Sequence, residues 1–202
     1  MGVRYDLGEH RHRFAYWAAA RAAQRGLKGF TVPAAKEALE KTLRAVTLDK
    51  GQWPPPNEVD GKLQQWTAEV LASLAGPSPG IKYGRAAKLV AVYLKEMVVT
   101  GPHADHAFAR LLHPPIDGIL LRGLATALKG GSLFRDCVSA ASKARLGRAL
   151  TGALKNRPFN LDACEYCELI VALREAHLDR DDQDQHAFWF LERFWTPDRE
   201  GP

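Results

Sequence analysis

Strand signals are nearly absent from this chain, which has no sustained period-2 alternation and few clusters of β-branched residues. That argues against a sheet-based core, because a half-buried strand shows its pattern at every second residue. Cysteine is scarce as well. The three present, Cys137, Cys164 and Cys167, are too few and too odd in number for a disulfide framework and predict a reduced, cytoplasmic protein. The opening MGVRYDLGEHRHRF lacks the apolar core of a signal peptide. No apolar run approaches the roughly 20 residues needed to cross a bilayer, so no membrane partner is expected. Internal repeats, low-complexity tracts and interdomain linkers are missing too, so residues 1–202 read as a single domain.

The composition is that of a globular protein: 46% hydrophobic and 25% charged over 202 residues. A chain of this length buries a sizeable core without metal or disulfide support. Its formal charge of +5 suits a polyanionic partner such as DNA.

Helical periodicity recurs throughout and predicts an all-α fold of eight or nine helices. The first runs from His12 to Arg25, with Phe14, Trp17 and Ala18 on one stripe and Gly26 as its stop. Thr31 caps the next, Ala34 to Val46, with Pro33 in its first turn. A proline-rich loop over 49–60 leads to Asp60 as the cap of a helix from Gly61 to Leu74. A turn-rich connector, 75–84, precedes a long amphipathic helix from Arg85 to Val99. Short helices follow over 105–112 and 116–128, then 133–138 and 140–154 behind Ser132 and Ser139. Asn160 is the expected cap of 161–176, and the acidic run 179–184 of a last helix, 186–195.

Several segments carry chemistry. In SPGIKYGRAAKLVAVYLK, residues 78–95, a Pro-Gly turn enters a helix whose first turn holds Arg85 and Lys88. Free N–H groups at a helix start attract phosphate, and Gly80 and Gly84 would let a DNA backbone come close beside Lys82. The plainer reading is a loop-to-helix junction with solvated basic residues. In LLHPPIDGILLRGL, residues 111–124, prolines place Asp117 at a helix start, where it either caps the helix or is aimed into a cleft with His113 as a second polar group. On the first helix, Arg21, Gln24 and Arg25 share a polar face, which is either solvated or lines a nucleotide cleft with Trp17. Cys164 and Cys167, three apart on a helix, lack the second ligand pair of a zinc site and read as two buried thiols, so no metal or other cofactor is expected.

A Pro-Gly turn opening a helix with an early lysine, and an aspartate at the start of a later helix after prolines, resemble the helix-hairpin-helix DNA glycosylases, closest to the compact archaeal members of the 8-oxoguanine branch. The resemblance covers residues 78–124, with the hairpin expected over 61–99. It departs from the usual pattern in that Ile-Lys-Tyr, not one residue, separates Gly80 from Gly84. In that family a lysine of the second hairpin helix attacks C1′ of the damaged nucleotide, and the aspartate assists departure of the base. The matching positions here are Lys88 and Asp117, with Lys82 and Lys95 as rivals for the nucleophile. The resemblance implies a monomeric base-excision enzyme, a glycosylase with lyase activity on lesion-containing duplex DNA, removing a purine such as 8-oxoguanine. Lys82, Gly84, Arg85, His113, Arg21, Gln24 and Trp17 would hold DNA or the extruded base, with Trp66 and Trp189 as further stacking candidates. A different class fits the same residues: an all-α nucleic-acid-binding or partner-binding module without catalysis, for instance in phage defence, in which Lys88 is a phosphate contact and Asp117 a helix cap.

Overall fold

Eight α-helices, punctuated by short 3-10 turns, make up the computed structural model, which describes residues 5–48, 53–101, 103–130, 139–178 and 187–196. No strand occurs among them. The helix expected over 133–138, Cys137 and the acidic run 179–184 lie outside the described residues.

Side-chain caps set most helix starts. Helix α1, Leu7–Gln24, begins at Asp6, whose Oδ1 accepts from the Glu9 N–H at 2.9 Å. It starts five residues before the periodicity suggested and ends at Gly26, which takes φ +75°. Helix α2, Val32–Leu48, is capped by Thr31 as expected, with Oγ1 accepting from Ala34 N–H at 3.3 Å. Helix α3 is Val59–Ala75 and helix α4 is Tyr83–Leu94, continued by a π-helical turn, Lys95–Val99. Helix α5, Ala107–Leu111, is short. Helix α6, Gly118–Lys129, has Asp117 as its N-cap. Helix α7, Ala140–Asn156, is capped by Ser139, and helix α8 is Ala163–Leu178.

Three boundary expectations are corrected. Asp60 lies inside the first turn of α3 and caps nothing there; its carboxylate is drawn to other elements, as described below. The cap of α8 is Asp162, not Asn160: Asp162 Oδ1 accepts from Glu165 N–H at 2.9 Å, and Glu165 Oε2 accepts from Asp162 N–H at 3.0 Å. This is a reciprocal capping box, which satisfies two orphan donors. The last helix is a 3-10 turn, Phe188–Phe194, in place of an α-helix over 186–195.

The apolar stripe of Phe14, Trp17 and Ala18 is not the buried face of α1. Its inward face is His12, Ala15, Ala19, Ala20 and Ala23, while Phe14 and Trp17 are each 51% exposed. Alanines permit close helix approach, and α1 packs extensively on α4. Buried His12 anchors this contact: Nδ1 pairs with the Tyr93 hydroxyl and Nε2 with Glu40, each at 2.9 Å. A buried imidazole flanked by two partners meets the requirement that interior polar groups be paired.

Two apolar clusters share α4. The first gathers α1, α2, α3 and the face of α4 bearing Ala86, Leu89, Val90, Tyr93 and Leu94. The second gathers α6, α7, α8, Phe188 and Leu191 around Tyr83 and Ala87 of the same helix. Lys88 lies between Ala87 and Leu89, at the seam. Helix α4 is therefore buried almost all round, the expected fate of a helix packed on both sides.

Candidate active site at the seam of the two clusters

Lys88 and Asp117, 29 residues apart, meet at this seam, with Nζ 3.0 Å from Oδ2. Each residue is only 8% exposed. The geometry follows from the two helices that carry them. Lys88 sits in the second turn of α4, held down by apolar neighbours on both sides. The extended stretch before α6 ends at Asp117, with φ −144° and ψ 176°, so its side chain folds back over the first turn. There Oδ1 accepts from the N–H groups of Ile119 and Leu120, both at 2.9 Å. The other oxygen, Oδ2, accepts from Lys88 and from Trp195 Nε1–H at 3.1 Å. Burial pushes this carboxyl up, but the Leu120 N–H, the Lys88 ammonium and the Trp195 indole outweigh it and hold it below its ordinary value.

Aromatic and cationic groups surround the pair. The Phe159 ring lies 5.2 Å from Lys88 Nζ and 4.4 Å from the Arg85 guanidinium carbon. Such placements stabilise cations through the ring quadrupole. Arg85 also donates from Nη1 to the carbonyls of Ala23 and Arg25 at 2.6 Å, tying the end of α1 to the site helix. Burial lowers its pKa from the ordinary value.

The other predicted residues have other surroundings. Gly84 does allow close approach, but of the chain to itself: an added Cβ would lie 2.3 Å from the Pro158 carbonyl oxygen, and its N–H donates to Leu161 O at 2.9 Å. That space is filled by protein, which removes the expected role in admitting a DNA backbone at this glycine. Gly80 has open space on its Cβ side, and Lys82 is exposed at the N-cap of α4. Lys95, the other rival, is ion-paired with Glu192. Arg21 donates to Gln24 at 2.9 Å on the exposed face of α1. The Trp17 ring lies beside Phe14, 6.1 Å between centroids, on the outward side of the same helix. Trp66 is buried in the first cluster, edge-on to Phe108, and Trp189 packs against that cluster. Trp66 therefore presents no free stacking face in this conformation. Cys164 is exposed rather than buried, and Cys167 is partly buried.

His113 does not share a cleft with Asp117 but is buried against Asp60, with Nε2 donating to Oδ1 at 2.9 Å. Arg174 of α8 donates from Nε to the other Asp60 oxygen at 2.7 Å and from Nη2 to the Leu111 carbonyl at 2.7 Å. This cluster clamps the stretch leading to Asp117 between α3 and α8. Burial holds the His113 pKa below 6.5 despite Asp60, so the ring is neutral at pH 7. Burial pushes the Asp60 carboxyl up, but His113 and Arg174 outweigh it and hold the pKa at about 2, against 3.8 ordinarily. Both groups fold with depressed pKa values, so their stabilisation is present at neutral pH and lost as pH falls. The thermal midpoint should decline as pH falls below about 6.5, because the unfolded imidazole takes up a proton that buried His113 does not, and again between pH 3.8 and about 2 with Asp60. Asp60→Asn should flatten the second decline, which differential scanning calorimetry across this range would read.

A groove of about 410 Å³ lies elsewhere, between α7 and α8, lined by Arg145, Arg148, Asn156, Glu165 and Glu168. Its lining mixes both charges and does not include Lys88 or Asp117. No group of three or more metal-ligating side chains occurs among the described residues, and no helix among them is long and apolar enough to cross a membrane. No protein-family model, curated protein or solved structure matches the chain.

Phe159 is a site residue that sequence reasoning missed, and Trp195 was legible only as one of two C-terminal tryptophans able either to pack the core or to face a cleft. The C-terminal segment FWFLERFW is rich in aromatics, and nothing local marks which of them reaches Asp117. Phe159 stands in RPFN between two helices, a large apolar residue in a polar turn. Its neighbour Arg157 has φ +62°, an uncommon conformation for a residue with a Cβ, so this turn is held under backbone strain.

Proposed function

We propose that the chain is a DNA base-excision enzyme, a glycosylase with lyase activity that works through a Schiff base at Lys88. The observation that carries this reading is the buried contact of Lys88 Nζ with Asp117 Oδ2 at 3.0 Å. An amine and a carboxylate at this distance suit attack on a sugar C1′. Lys88 gives up its ammonium proton to solvent and, as the free amine, bonds to C1′ while the bond from C1′ to the base breaks; the base leaves with that electron pair and takes the proton that the new C1′ ammonium sheds. The nitrogen lone pair then forms C=N as the C1′–O4′ bond breaks and O4′ takes a proton from water, giving the Schiff base, from which β-elimination expels the 3′ phosphate and cleaves the strand. Asp117, ionised, stabilises the positive charge that develops on the sugar. The target nucleotide must leave the duplex stack to reach a pair this deep, at a cost of about a few kcal/mol. The basic charge of the chain favours the encounter with DNA.

The test is borohydride trapping on a duplex panel containing 8-oxoguanine, uracil, an abasic site or no lesion. A covalent protein–DNA adduct on a lesion duplex is the expected result. Salt-sensitive binding with no adduct on any duplex would sink the enzyme reading and favour the non-catalytic nucleic-acid module. That second reading rests on the double role of Asp117 as a helix cap, which needs no chemistry to explain it.

A further inference from the structure

The carboxylate of Asp117 has four donors, and they divide evenly. Two backbone N–H groups of α6 hold Oδ1, while Lys88 and Trp195 hold Oδ2. A carboxylate has about four lone-pair sites, so this one is saturated. The two donors on Oδ2 are not equivalent. The lysine is the group that chemistry would consume, whereas an indole N–H donates one hydrogen, accepts nothing and takes no part in proton exchange at ordinary pH.

Trp195 is held where it is by its own segment. It follows the 3-10 turn Phe188–Phe194, and its backbone N–H donates to Glu192 O at 2.8 Å. Phe188 and Leu191 are buried in the second cluster, and Glu192 is ion-paired with Lys95 at the end of α4. The turn also lies directly on α6: a Cβ at Gly123 would meet the Phe194 carbonyl oxygen at 2.0 Å. Only glycine admits the segment at this depth. Yet Trp195 itself is 41% exposed, so burial of its ring is not what fixes its position over Asp117.

We infer that Trp195 is the positioning residue of Asp117: its indole N–H fixes the carboxylate oxygen shared with Lys88 and keeps it fixed once the lysine amine is engaged on the sugar. The inference rests on the base-excision reading for its catalytic consequence and on the contact itself for its structural one. While Lys88 is paired with Asp117, Oδ2 has two donors. When the amine turns to C1′, Trp195 alone remains on that oxygen, and without it the carboxylate is free to rotate about its cap. Other charged groups bear on the same carboxylate. Lys88 faces it from α4, and Glu192 of the C-terminal turn, whose carboxyl is pushed up chiefly by burial and least by Asp117, is paired with Lys95.

Trp195→Phe keeps a ring and removes only the donor, at a position exposed enough for the fold to tolerate it. Two readouts decide the matter. The first is the carboxyl titration of Asp117 by carbon NMR, assigned with Asp117→Asn, on free protein. In Trp195→Phe the midpoint should move upward, since a donor that favours the ionised form is gone. The second is the pH profile of borohydride trapping. The trapping rate should fall at least about tenfold, as expected for a mispositioned catalytic carboxylate, with the acid limb displaced to higher pH. An unchanged titration midpoint in a folded variant overturns the inference whatever the trapping rate does. If the wild type traps no adduct on any duplex, the excision reading falls, and the NMR titration alone still decides whether Trp195 holds Asp117.

Discussion

Replacing Lys88 by glutamine is expected to abolish the trapped adduct on lesion duplexes while leaving duplex affinity and its salt dependence essentially unchanged. The first part follows from chemistry, because an amide forms no Schiff base. The second follows from burial. Lys88 is 8% exposed and directed at Asp117, so it is poorly placed to neutralise a phosphate on the DNA surface. A lysine that did so would, on removal, lower the slope of log affinity against log salt by about one unit. Filter binding over a salt series, beside the trapping gel, separates the two. Lost trapping with an intact slope supports the nucleophile assignment. A reduced slope with no trapping in the wild type identifies a phosphate contact and a binding module. An adduct that persists in Lys88→Gln moves the role to Lys82, exposed at the start of α4, or to Lys95 beside Glu192.

The largest effect on stability should come from the other partner. Asp117→Ala removes the N-cap of α6 and leaves the Lys88 ammonium buried without its counterion. Loss of a cap costs about 1 kcal/mol. Breaking a buried pair from one side costs about 3–5 kcal/mol, because the remaining charge is uncompensated. Chemical denaturation should therefore register a loss of about 4 kcal/mol, short of the simple sum because the uncompensated amine can deprotonate. Lys88→Gln should cost clearly less, since Asp117 keeps three donors: Ile119 N–H, Leu120 N–H and Trp195 Nε1–H. The decisive comparison adds Asp117→Asn to Lys88→Met. The amide oxygen still accepts from the α6 backbone, the cap survives and no buried charge is left, so stability should return to within about 1 kcal/mol of wild type. Recovered stability without recovered trapping would show that the pair is retained for something other than folding. An Asp117→Ala variant no less stable than Lys88→Gln would contradict the asymmetry of donors.

The two residues of the pair were legible in the sequence because each is marked locally, one by a turn that opens a helix and the other by prolines that end at an acid. Their contact was not, since 29 residues and two helix packings separate them. The all-α class was legible from periodicity, and Thr31, Asp117 and Ser139 from capping chemistry. The face of α1 was misread because an alanine-rich helix with interspersed aromatics carries two apolar stripes. Hydrophobicity favoured Phe14 and Trp17, whereas the tight approach of α4 admits only the alanines. Asp60 was misread for the opposite reason: an acid in a first turn looks like a cap, but a buried histidine and an arginine from α8, 114 residues away, compete for it more strongly. Asp162 was identifiable in principle, as the first member of Asp-Ala-Cys-Glu, a capping-box spacing overlooked beside the nearer-looking Asn160. Trp195 belongs to the least legible class, a partner 78 positions from its target and set wholly by the path of the chain.

Helix α4 carries Lys88 along the boundary between two bodies of apolar side chains, and Asp117 arrives from only one of them. On the excision reading this placement ties the covalent chemistry to the packing of both bodies. A nascent or partly melted chain, with one body formed and the other not, holds an ordinary lysine and an ordinary aspartate far apart. Only the fully docked molecule presents an amine poised to make a covalent bond to DNA. An enzyme whose intermediate is a covalent link to DNA would thereby lose that chemistry when either body melts.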